Sequence, residues 1–153
     1  MSKLYNTPFE ASLRILLILE TLNYQSFSVD MLAAIDFISL YGRDFGLSNE
    51  NLHGDNNYKF SEFTLRRELI KTAIKNLVLD DLLKVSSTKQ GFTFSSNQKG
   101  LNFSEHLSSD YANTYRQAVY SVKEFVSNKT EREVLEYINK RSIYSLREDY
   151  YND

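Results

Sequence analysis

A chain of 153 residues with 42% hydrophobic and 25% charged side chains has the make-up of an ordinary globular domain, and it can bury a core without staples. It has no cysteine, which excludes disulfides, thiolate catalysis and cysteine-ligated zinc. Its net charge of −2 argues against whole-molecule attraction to nucleic acid, whose binding domains tend to be basic.

The first predicted helix spans residues 8–22. Pro8 suits the first turn, where its missing N–H costs nothing, and Thr7 is the expected N-cap. Phe9, Leu13, Leu16, Leu17 and Glu20 share one side of it. Its apolar run, residues 13–22, carries Arg14 and Glu20, falls short of the roughly 20 apolar residues a bilayer requires, and lacks a signal-peptide layout. No membrane contact is therefore expected, and the cytoplasm is the default location.

After a polar break, Ser28 is the predicted cap of a second helix to residue 41, with Met31, Leu32, Ile35, Phe37 and Ile38 as its buried stripe. Asp36 sits inside that apolar run, so it must find a partner or bear a desolvation cost. Residues 42–59 are rich in Asn, Gly, Ser and Asp and read as one long irregular loop. Loops of that length are uncommon in compact domains unless they have a function or are disordered, so this one is a first place to look for binding.

Helical period returns over residues 61–79, where Leu65, Leu69, Ile70, Ala73, Ile74 and Leu77 form the apolar side and Arg67, Lys71 and Lys75 an exposed edge. Residues 82–86 and 91–95 are then predicted strands joined by Ser87-Thr88-Lys89-Gln90. In the second, Phe92 and Phe94 alternate with Thr93 and Ser95, the period of a half-buried strand. Three more helices follow at about 98–107, 109–126 and 130–141, before an aromatic and acidic tail, 143–153, expected to fray. The expected fold is mainly α with a small β-hairpin: one domain, with a winged-helix-like core over residues 8–96 and a C-terminal helical extension over 97–142.

No catalytic constellation emerges. His53 lies near Asp55, an arrangement that can orient an imidazole, but no nucleophile motif accompanies it, and a loop histidine bonded to backbone is the simpler reading. Metal-ligand spacings and phosphate-cradling glycine patterns are absent, so no cofactor is expected. DNA contact by a winged helix would fall to Arg66, Arg67, Lys71 and Lys75 on the third helix and Lys89 on the hairpin. The loop of residues 42–59 replaces the tight turn that normally braces such a helix, which disfavours DNA readout. Docking to other macromolecules remains.

An ordered set of segments carries a family likeness: Leu4-Tyr5-Asn6 and Pro8-Phe9-Glu10, Leu13-Arg14-Ile15-Leu16, Ala34-Ile35-Asp36-Phe37, Asp44, Leu52-His53, Arg66-Arg67-Glu68, Gly91-Phe92 with Phe94, and Tyr111 with Arg116. Over residues 4–126 the chain resembles the small middle component (type 2) of bacterial three-component ABC ATPase systems, a group that includes Lamassu-type anti-phage defence. It departs at Gly54, where the family often has proline, at Tyr41, where histidine is common, and at Tyr120, where Trp is. The resemblance implies a non-enzymatic adaptor encoded beside an ATPase of the SMC or RecN kind and a separate effector, often a nuclease. The adaptor bridges the two and restrains the effector until foreign DNA ends are sensed, so that DNA is met through the complex. A winged-helix transcriptional regulator or DNA-binding accessory protein is the alternative.

The partner-interface candidates are Asp36, Asp44, His53, Arg66, Arg67 and Glu68. Asp36 is expected to pair with Arg66 or Arg67, tying the second helix to the third, with Arg67 and Glu68 at a partner interface as the functional alternative. Pro8-Phe9-Glu10 is expected to be a helix start anchored by Phe9.

Overall fold

The computed structural model describes residues 7–23, 25–52 and 63–152, with side chains through residue 143. Helix α1 covers Pro8–Thr21, with proline in its first turn and the Thr7 hydroxyl accepting from the Glu10 N–H at 3.1 Å. Helix α2 covers Val29–Leu40, capped by the Ser28 hydroxyl, which accepts from the Met31 N–H at 3.0 Å. Both starts fall where the caps predicted them.

The next stretch is more regular than its composition suggests. Gly42–Phe45 forms a single 3-10 turn, closed by Gly46 at a φ of 72°, a left-handed value natural to glycine. The Arg43 N–H donates to the Asn51 side chain at 3.0 Å, and the Leu52 N–H donates to the Leu40 carbonyl at 3.0 Å, which folds the segment back on α2. The remainder of the expected loop, residues 53–59, lies outside the described residues, and His53 and Asp55 with it.

Helix α3, Phe63–Leu79, leads through the Asp80-Asp81 turn into a hairpin. Strand β1, Leu83–Thr88, pairs antiparallel with β2, Gly91–Ser96, from Leu83↔Ser96 to Thr88↔Gly91. The strands run further than the alternation of side chains implies, leaving a two-residue turn, Lys89-Gln90, in place of the expected four. Phe27 adds an isolated antiparallel bridge to Phe94 on the outer side of β2.

Helices α4, Gln98–Glu105, and α5, Asp110–Ser127, start at Asn97 and Ser109 caps. Helix α6, Glu131–Asn152, opens with a capping box: the Glu133 N–H donates to the Thr130 hydroxyl at 3.2 Å, and the Thr130 N–H to the Glu133 carboxylate at 3.1 Å. Those bonds hold the Glu133 carboxyl below its usual range. The helix runs on through the segment expected to fray, and no glycine or proline interrupts residues 131–152.

The described residues thus make a mainly helical fold, six α-helices and one two-stranded hairpin. None of the helices is long and apolar enough to cross a membrane. One hydrophobic cluster joins the elements, and α2 lies at its centre, packed by α1, α3, α5 and α6. Every α2 residue from Met31 to Leu40 is buried, so the expected stripe is in fact the whole circumference. Gly100 seats α4 against the hairpin: a Cβ there would stand 2.2 Å from the Leu82 carbonyl oxygen.

Candidate functional site

Two charged residues lie in the centre of the molecule. Asp36 on α2 and Arg14 on α1 are each 1% exposed and form a two-pronged ion pair, Nε to Oδ1 at 2.8 Å and Nη2 to Oδ2 at 3.3 Å. The buried Tyr115 hydroxyl, from α5, donates to Asp36 Oδ1 at 2.5 Å. Three helices are thereby fixed to one carboxylate.

Burial pushes the Asp36 carboxyl up, yet the Arg14 charge and the hydrogen bonds from Arg14 and Tyr115 outweigh it and hold the group below its ordinary 3.8. Burial, then the neighbouring carboxylate, raises the Tyr115 phenol well above its usual value. Tyr111, next to this cluster, is pushed up to about 12, chiefly by burial. The partner of Asp36 is therefore Arg14, not Arg66 or Arg67 as the sequence suggested. A lone arginine in an apolar helix matching a lone aspartate in the next was the available signal.

Arg66 is nevertheless close. Only 7% exposed, it donates from Nη2 to the Tyr41 hydroxyl at 3.1 Å and lies 5.5 Å from the Tyr41 ring centroid, and its charge also favours the ionised form of Asp36. Among the described residues, its Nε and Nη1 have no hydrogen-bond partner. Arg67 points elsewhere, to Asp30 at the start of α2, with Glu68 at 3.6 Å. Asp44, in the 3-10 turn, accepts from the Asn51 amide at 2.9 Å, and its carbonyl accepts from Arg141 of α6 at 2.6 Å. Lys71, Lys75 and Lys89 are exposed on α3 and at the hairpin tip. The candidate residues therefore divide between a buried cluster, a turn and an outer edge rather than forming one site.

A second polar junction went unread in the sequence. Arg116 of α5 donates to Glu20 of α1 at 2.7 Å and to the Ser104 carbonyl of α4 at 2.7 Å. Glu20, placed on the apolar side of α1 by its period, is there because Arg116 reaches it.

Two surface depressions are lined by large apolar groups. One, of about 940 Å³, separates the hairpin from the N-terminal half of α6, with Val29, Phe92, Phe94 and Leu135 among its walls. The other, of about 430 Å³, lies between α1, the end of α3 and α4, and includes Phe9, Leu79 and Phe103, all exposed. Phe9 does not anchor its helix in the core: its side chain is 68% exposed, on the wall of this depression. Among the described residues no three His, Asp or Glu side chains gather as a metal ion would need.

A family model described as the ABC-three component (ABC-3C) system middle component 2 matches residues 4–148. No curated protein and no solved structure matches the chain. The family match spans nearly the whole sequence, and the chain belongs to the ABC-3C middle component 2 family, which implies partner components.

Proposed function

We propose that this middle component is a non-enzymatic adaptor that joins an ABC ATPase of the SMC or RecN kind to an effector, a nuclease, in a cytoplasmic anti-phage complex of the Lamassu type. The family assignment carries this reading. The physical support is a frame with separate apolar surfaces. The Arg14–Asp36–Tyr115 cluster locks α1, α2 and α5 together, while the hairpin groove and the Phe9–Leu79–Phe103 depression open on different elements. Exposed apolar patches bounded by polar residues are characteristic of protein contact surfaces.

The succession of α3 and hairpin, with Phe27 bridging β2, supports a winged-helix-like core over residues 8–96 within a single domain. Its cationic helix is poorly disposed to read DNA, since Arg66 is turned inward and Arg67 is engaged by Asp30. DNA is accordingly met through the complex. Co-expression with the two co-encoded components, followed by size-exclusion chromatography, tests the adaptor role: a shared peak is expected, and elution of the chain by itself overturns it.

A further inference from the structure

The outer edge of β2 is only half used. Phe94 exchanges both backbone hydrogen bonds with Phe27, at 2.8 and 3.0 Å, so its N–H and C=O face away from β1. Backbone direction alternates along an antiparallel strand, so Phe92, two residues on, also faces away from β1 and toward the same side as Phe27. The chain cannot continue that ladder, because after Ser28 it turns into α2 at Val29. Among the described residues, no backbone group bonds the Phe92 N–H or C=O across this edge.

Beyond that unpaired position lies the 940 Å³ groove. The Phe92 side chain is 63% exposed at its mouth, and Val29 and Leu135 are half-buried in its walls. The rim charges are unequal. Arg67 is engaged by Asp30 and Arg132 by Glu136, whereas Glu131 accepts only from the Ser28 hydroxyl at 2.8 Å and has no cationic partner among the described residues.

We propose that this groove takes an extended segment of a partner component, paired to Phe92 as Phe27 is paired to Phe94. An apolar side chain of the segment packs on Phe92 and Leu135, and a Lys or Arg meets Glu131. An open strand position selects such an occupant because it calls for a donor and an acceptor at strand spacing. A helix spends its backbone groups internally, and a nucleic-acid phosphate accepts but cannot donate. The inference rests on the adaptor reading and assigns it a surface.

The test uses the full chain co-expressed with its ATPase and effector components, wild type against Phe92→Glu and Glu131→Lys, with Tyr120→Glu on the exposed face of α5 as control. Thermal melts of each purified chain verify that the exposed substitutions leave the fold intact. The expected result is co-elution of wild type and control, at least about tenfold weaker assembly of both groove variants, and slowed hydrogen exchange of the Phe92 amide in the complex. If wild type assembles but the variants assemble equally well, or the Phe92 amide exchanges as fast in the complex as in the free chain, the groove assignment is overturned and the adaptor reading stands. If wild type elutes alone, both fall.

Discussion

Replacing Asp36 by alanine takes away the carboxylate to which Arg14 and Tyr115 are bonded, leaving a guanidinium 1% exposed and a buried hydroxyl without it. Breaking a buried ion pair from one side costs about 3–5 kcal/mol, because the surviving charge stays desolvated. Against a total stability of about 5–15 kcal/mol this is a large fraction. At about 2–4 °C per kcal/mol for a domain of this size, it lowers Tm by about 6–20 °C. Urea titration followed by circular dichroism measures the loss directly. The double variant Arg14→Leu with Asp36→Leu removes both charges, so it should be more stable than either single change despite the unpaired Tyr115 hydroxyl. A loss below about 1 kcal/mol for Asp36→Ala, or a double variant at the sum of the singles, would refute the account.

The same pair sets an acid limb. The folded Asp36 carboxyl lies below its ordinary 3.8, so the unfolded chain binds the proton more readily. The stabilisation is complete above about pH 5 and is lost as pH falls through 3.8 toward the folded value. Asp36→Asn should flatten that limb in melts taken between pH 6 and pH 3. Gly100→Ala should cost about 1–3 kcal/mol by forcing α4 off the Leu82 carbonyl, and a melt little changed from wild type would contradict that close approach. Ser28→Ala removes the α2 cap and the bond to Glu131, for a loss of about 1 kcal/mol in urea titration. Arg67→Ala, at a half-exposed pair, should change stability by less than about 1 kcal/mol. The isolated chain should not shift duplex DNA at low salt. A shift whose salt slope shrinks when Lys71, Lys75 and Lys89 become alanine would instead favour direct DNA binding.

Local chemistry was legible wherever one residue type decides an outcome. Thr7 and Ser28 start helices because a short hydroxyl side chain meets an orphan N–H, and the Phe92–Phe94 alternation marks a strand. Pairings over long sequence separations were not legible. The identity of the Asp36 partner depends on how α1 crosses α2, and two arginines on α3 were chemically equal to Arg14 until that crossing was known. Glu20 and Arg116 lie 96 positions apart and share the same difficulty. Exposure of Phe9 also depends on where neighbouring elements stop, which a hydrophobic period does not encode. Arg14, Asp36 and Arg116 all fall in segments that carry the family likeness, and packing joins the first two to each other and Arg116 to Glu20.

From Met31 to Leu40, helix α2 has no outward side, and this shapes what variation the chain can absorb. Along α5, and along α6 as far as residue 143, a polar substitution has roughly even odds of meeting water, so those surfaces can be altered to suit one partner or another. Between Met31 and Leu40 almost any exchange alters volume or strands a polar atom among four neighbouring helices. A saturation library scored for soluble yield would therefore show an unbroken intolerant band over α2, flanked by permissive stripes of helical period in α5 and α6. Partner specificity can diverge on the periphery while the axle about which it is arranged stays fixed.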